Sequence, residues 1–297
     1  MNTSTPASAA EPQQAPAQSS GRVRSAMLGR YLAALRSPKG RFALTVLTVL
    51  TLLALLAPWL FPQGYDAQSR ESLRAMSSAH LFGTDELGRD LLVRTLFGLR
   101  TDLSLIATAV PVSLVLGTLL GLIGAVSPSL GTAVQRALDV ILGFPSLVLG
   151  ICIVMVVGAS WSALFTVIVI YGLPGFGRMA RAALVTQEQR EYVIAARTLG
   201  VGRWKIMLRH ILPNALDPII VQAAVFVVAA VFIEAALSIV GLGTQPPQPS
   251  LGALLNVGMR YIYQSPTYVL GPTVILLLLA LAFSLLADAL NEAVNRK

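Results

Sequence analysis

Residues able to do chemistry are sparse in this chain of 297 residues, and their types exclude more than they offer. Cys152 is the single cysteine and His80 and His210 are the two histidines, too few for a disulfide framework or a His/Cys zinc site. The run Thr84 to Asp90, "TDELGRD", gathers Asp85, Glu86 and Asp90. A calcium loop needs oxygen ligands at alternating positions, which this run lacks, and Arg89 opposes a cation. The run reads as a cap and turn, with Thr84 or Asp85 capping the helix that follows. No Gly-x-x-x-x-Gly-Lys loop is present, and none of Lys39, Lys205 and Lys297 follows a glycine, so any nucleotide energy must come from another chain. No Ser/His, paired-Asp or HExxH constellation lies in the apolar segments, which argues against an intramembrane enzyme. Two residues stand out within those segments. Glu234 is an acid where acids are costly, so it faces the helix bundle or a wet cavity. Pro145 would free a backbone carbonyl and kink its helix, which suits a pore-lining element and an ordinary packed span equally.

The elements that must position these residues follow from composition. With 55% hydrophobic residues, 12% charged residues and a mean hydropathy of +0.71, the chain reads as a membrane protein. Its net charge of +8 is scattered between apolar runs rather than gathered on one face, which excludes nucleic acid as a partner. Residues 1–21, rich in Pro, Ala, Ser and Gln, read as a disordered tail. Residues 22–41 interleave Arg22, Arg24, Arg30, Arg36, Lys39 and Arg41 with Tyr31, Leu32 and Leu35, the pattern of an amphipathic segment on a membrane surface. Six spans are expected, at about 42–61, 103–126, 137–157, 160–180, 216–241 and 268–290, because roughly 20 apolar residues cross a bilayer as a helix. The uncharged run from Val140 to Gly177 is too long for one crossing and is expected to turn back at Val157 to Trp161. The fold class is therefore all-α and polytopic, without the alternation of strands. Lys and Arg concentrate in the amino-terminal segment, at Arg136, across residues 178–209 and at the carboxyl end, which makes those regions and both termini cytoplasmic. Asp139 and Asp288 flank cytoplasmic span ends as interfacial residues, and the run from Thr244 to Gly252, "TQPPQPSLG", is an extended external loop.

One polar segment, residues 181–215, interrupts the apolar pattern. Thr186 and Gln189 have the form of a capping box, opening a helix with Tyr192, Ala195, Ala196 and Leu199 on one stripe. Gly200 is placed to end that helix in a left-handed cap. A second short helix would align Trp204, Met207, Leu208 and Ile211, until Pro213 stops it. By spacing alone such a hairpin suits the lipid headgroups or a groove on a soluble partner, since both use the same periodicity.

Five blocks in order carry a resemblance: "HLFGTDELGRDLLVRTLFGLRTDLSL", "GFPSLVLG", "EYVIAARTLGVGRWKIMLRHILPNAL", "EAALSIVGLGTQPPQPSLGALL" and "LLLLALAFSLLADALNEAVN". Together, over residues 30–295, they resemble the C-type permease subunit of dipeptide, oligopeptide and nickel importers of the ATP-binding-cassette class. Ala195, Ala196, Gly200, Leu212 and Pro213 match the signature loop of such permeases, while Ile194 stands in place of its Glu and His210 in place of its Ile. The resemblance implies the type I importer permease fold in the bacterial inner membrane, forming half of a pore with a homologous B-type subunit. It implies two ATPase subunits that use ATP and Mg, an extracytoplasmic substrate-binding protein, and no cofactor on this chain. The polar hairpin becomes the coupling helix, with Glu191, Tyr192, Ala195, Ala196, Gly200, Trp204, Leu208 and Pro213 meeting the ATPase. For Glu234 it implies a structural or gating role. Cargo is expected to be a dipeptide or oligopeptide, with nickel, glutathione or another small solute as the alternative. A self-sufficient secondary transporter is the reading from another class; it would place polar residues on broken helices at the midplane.

Overall fold

The computed structural model describes residues 29–123 and 127–295. The expected tail at 1–21, and the first part of the basic segment, lie outside the described residues. Among the described residues all regular structure is helical, apart from an isolated bridge between Thr84 and Asp90. Five helices are long and apolar enough to cross a membrane, and six crossings result if one bent pair counts as a span.

The first described helical residues, 29–36 (α1), end at Ser37, which caps α2 (Pro38–Leu60) by accepting the Gly40 N–H at 3.0 Å. The described part of the basic segment is helical and tied to the bundle by side chains. Tyr31 donates to Asp217 Oδ1 at 2.6 Å, Arg30 pairs with Asp217 Oδ2 at 2.9 Å, and Lys39 reaches Glu292 at 2.5 Å. Burial first, and then the bond to Asp217, raises the Tyr31 phenol above its ordinary value, so this tie is intact at neutral pH.

Residues 61–90 form a loop organised by one guanidinium. Arg89 is buried and its Nε meets Asp85 Oδ2 at 2.6 Å, its Nη1 Asp66 at 3.0 Å and its Nη2 Glu86 at 3.3 Å. Burial opposes the Arg89 charge, but the bonds to Asp66 and Asp85 outweigh it and raise its pKa. Asp85 Oδ1 also accepts the N–H groups of Leu87 and Arg89, each at 2.9 Å. With its carboxylate so occupied, Asp85 does not cap the next helix, and Asp90 does, accepting the Val93 N–H at 3.0 Å.

That helix, α3 (Leu91–Leu122), begins well before the expected span and carries Arg94, Arg100 and Asp102 inside it. It packs along α6 (Trp161–Glu188), and these are the most buried of the spans. A Cβ at Gly121 would overlap the Gly177 carbonyl, so the two backbones approach as closely as small residues permit. Between them in sequence, the third expected span is two helices, α4 (Pro128–Leu142) and α5 (Ser146–Val157), bent by 94° at Gly143 to Pro145. Pro145 does not kink a continuous helix. Its ring, at φ −55° and ψ 136°, ends one helix and serves as the N-cap of the next, because it has no N–H to continue the ladder.

After α6 come α7 (Glu191–Thr198) and α8 (Arg203–Ile206). The chain then passes through a π-turn (Met207–Ile211) into α9 (Leu212–Ile239) without a stop. Pro213 was expected to end the helix. Instead the wider turn, in which the Leu212 N–H bonds Met207 O, absorbs the ring and the missing donor. A loop leads to α10 (Leu251–Gly258), capped by Ser250, and then to α11 (Thr267–Asn295). The run 244–252 is therefore only partly extended: its last residues open a helix packed against α3, α9 and α11.

Candidate coupling elbow and buried acid pair

The elbow between α7 and α8 is held by backbone geometry. Gly200 adopts φ 75°, its N–H bonds Arg197 O at 3.0 Å, and the Val201 N–H bonds Ala196 O at 3.1 Å, which is a Schellman closure. Thr186 does not begin this hairpin. Its hydroxyl donates to Ala182 O at 2.9 Å inside α6, which runs on to Glu188, and Arg190 is the N-cap of α7.

The expected apolar stripes divide. In α7, Val193 and Ala196 are buried, whereas Glu191, Tyr192, Ala195 and Leu199 are exposed, Leu199 at 82%. In the second helix Ile206, Met207 and Ile211 are buried, while Trp204 and Leu208 face outward at 60% and 55% exposure. The π-turn adds a residue to one turn and so rotates the later positions away from simple helical spacing. The result is a hairpin anchored on one face and presenting Tyr192, Ile194, Leu199, Trp204 and Leu208 on the other. Tyr192 bonds Gln187 at 2.6 Å and Arg197 pairs with Glu188 at 2.9 Å, tying α7 to the end of α6. Pro213 lies half-buried in the continuous helix rather than on the exposed face.

At the opposite end of the bundle, Glu234 is 2% exposed and its Oε1 accepts from Ser238 Oγ at 2.7 Å, with the Ser250 hydroxyl also in reach. A second buried acid stands beside it. Asp102 Oδ2 accepts the Leu251 N–H at 3.1 Å across 149 positions of sequence, and the two carboxyls are within electrostatic reach. The apolar pattern alone starts this span at Leu103, just past the charge, and so passes over Asp102. Its acidity next to an otherwise apolar run was the available signal. Glu234 and Asp102 with Ser238 and Ser250 thus knit α9, α3 and α10 together. Pro145 is exposed at the break between α4 and α5 beside Phe144 and Leu147, remote in sequence from this cluster.

A family profile for binding-protein-dependent transport system inner membrane components matches residues 117–297. The chain is 38% identical over 249 residues to the di/tripeptide transport system permease protein DppC of Pseudomonas aeruginosa (strain UCBPP-PA14), covering 81% of this chain and 82% of that one. It is 34% identical over 246 residues to the glutathione transport system permease protein GsiD of Pectobacterium atrosepticum, covering 81% of each. Its fold is similar to a chain of the MetNI methionine ABC transporter solved in inward-facing conformations, with a TM-score of 0.55 at 22% identity over 69% of this chain and 97% of that one. The spans, the anchored elbow and these likenesses lead to one assignment: the chain belongs to the inner membrane components of binding-protein-dependent transport systems, as a multi-pass permease subunit.

Proposed function

We propose that this permease is the C-type half of the pore in an ATP-driven importer of dipeptides or oligopeptides. It pairs with a homologous B-type permease, receives cargo from an extracytoplasmic substrate-binding protein, and is driven by two ATPase subunits that use ATP and Mg. Both termini and the elbow lie in the cytoplasm, as the distribution of Lys and Arg requires. The observation that carries the reading is the elbow itself: Leu199, Trp204 and Leu208 are exposed on a hairpin whose other face is locked into the core. A free apolar face on a rigid support suits a groove on a second protein, and a rigid support passes displacement into α6 and α9 where a floppy loop would absorb it. A peptide cargo is supported by the di/tripeptide relative, and the glutathione relative favours a small peptide-like solute as the second reading.

The test is a cross-link from Leu208→Cys in a Cys152→Ser background, in membranes carrying the whole complex. Capture of an ATPase chain, together with co-purification of a second permease, is the expected result. Capture of phospholipid alone, or a chain that transports peptide by itself, overturns it.

A further inference from the structure

The outer end of the bundle holds an open cavity of about 550 Å³, within the range of small-ligand sites. Trp161, which begins α6, lines it, and α6 is 28 residues long, so the cavity stands roughly 40 Å from the elbow at 1.5 Å per residue. One wall is about two turns of α3, Phe97 to Ser104, and the facing wall is Gln248 and Pro249. Asp102 fixes the two walls against each other through its bond to the Leu251 N–H.

The polar groups on the wall of α3 have a definite sense. Arg100 is exposed to the cavity and has no carboxylate partner among the described residues. The hydroxyl protons of Thr101 and Ser104 are already given to backbone carbonyls, of Phe97 at 3.2 Å and Thr101 at 2.7 Å, so their oxygens face a ligand as acceptors. Tyr65 and Phe97 meet with ring centroids 5.1 Å apart, and Trp161 stacks on Phe165 at 5.6 Å, giving the cavity aromatic sides. Among the described residues, no carboxylate, imidazole or thiolate lines it. One forked cation, acceptor oxygens at the next residue and a turn further on, and aromatic faces complement a molecule with a carboxylate at one end and an ammonium at the other. A hydrated metal cation finds only a like charge there.

We infer that this cavity is a cargo site of the permease, in which Arg100 takes the free carboxylate of a zwitterionic peptide and Thr101, Ser104 and the aromatic walls take its amino end. The inference rests on the peptide-importer reading above and adds to it a place of contact and a reason for the cargo's chemistry.

The experiment uses the full complex in proteoliposomes, with its binding protein at saturation and a dipeptide offered as free acid or as amide. Arg100→Gln is expected to shrink the preference for the free acid by about tenfold, because the binding protein is common to both forms and cancels from the ratio. Arg100→Lys should restore most of it, and ATP hydrolysis stimulated by the loaded binding protein should stay near the wild-type rate in both. An unchanged free-acid preference in Arg100→Gln overturns the inference. So does an equal loss in both variants accompanied by loss of ATP hydrolysis or of the second permease from the purified complex, which marks Arg100 as a packing residue of the interface. Wild-type vesicles that take up no peptide with ATP would refute the importer reading instead, and the cargo site would fall with it.

Discussion

Gly200 and Asp102 illustrate what single residues contribute. Nothing lies within 4 Å of a Cβ built at Gly200, so a side chain fits the space there and the obstacle is the backbone. Left-handed φ costs an L-residue roughly 1–2 kcal/mol, and a β-branched one more. Gly200→Val should therefore lower ATP-coupled uptake by about tenfold, while the chain still reaches the membrane fraction. Gly200→Asn, which tolerates the conformation, should keep most of the uptake. Asp102 is different, because its role is to satisfy a buried backbone donor. Asp102→Asn retains an acceptor for the Leu251 N–H and should leave the thermal melting of the purified complex nearly unchanged. Asp102→Ala orphans that group and should cost about 1–3 kcal/mol, seen as a lower melting temperature.

At the scale of elements, two features set the behaviour of the ends of the bundle. Arg30 and Tyr31 on α1 grip Asp217 on α9, six residues past the π-turn that leads from the elbow. Asp217→Ala removes both contacts at once, and trypsin cleavage at Arg36 should then rise several-fold in inside-out vesicles. The break between α4 and α5 depends on Pro145. Pro145→Ala restores a backbone donor, so spin labels at Ala133 and Cys152 should move further apart as the two helices straighten. Hydropathy shows that this region is apolar, but a kink and a break look alike in the sequence because proline alone does not say whether its neighbours resume one axis. The elbow shows the same division. Its glycine cap could be read from the chain, since few residues besides glycine end a helix that way, whereas the burial of Val193 and Ile206, and the exposure of Trp204 and Leu208 from the expected stripe, depended on how the hairpin packs against the bundle.

The whole molecule carries more exposed apolar surface than its own packing covers. Phe144, Leu147, Val148 and Val156 on and around α5 are exposed, as are Leu52, Leu55 and Trp59 on α2. Lipid is adequate cover for α2, but a broken helix near the bundle edge leaves backbone groups that lipid cannot satisfy and a second permease can. The chain purified alone should accordingly melt at a lower temperature than in complex with its partner subunit, since a partner that binds only the folded form stabilises it by mass action. By itself the sequence determined that the chain is a helical membrane protein with a polar hairpin and a glycine elbow. A bilayer accepts only long uncharged helices, and charge and glycine are visible one residue at a time. Only the tertiary structure decided which faces of those helices meet. In a membrane the lipid side is as apolar as the packed side, so no periodicity marks the core. For the same reason the pairing of Asp102 with Leu251, and the cavity it frames around Arg100, exist only once α3 and α10 have come together.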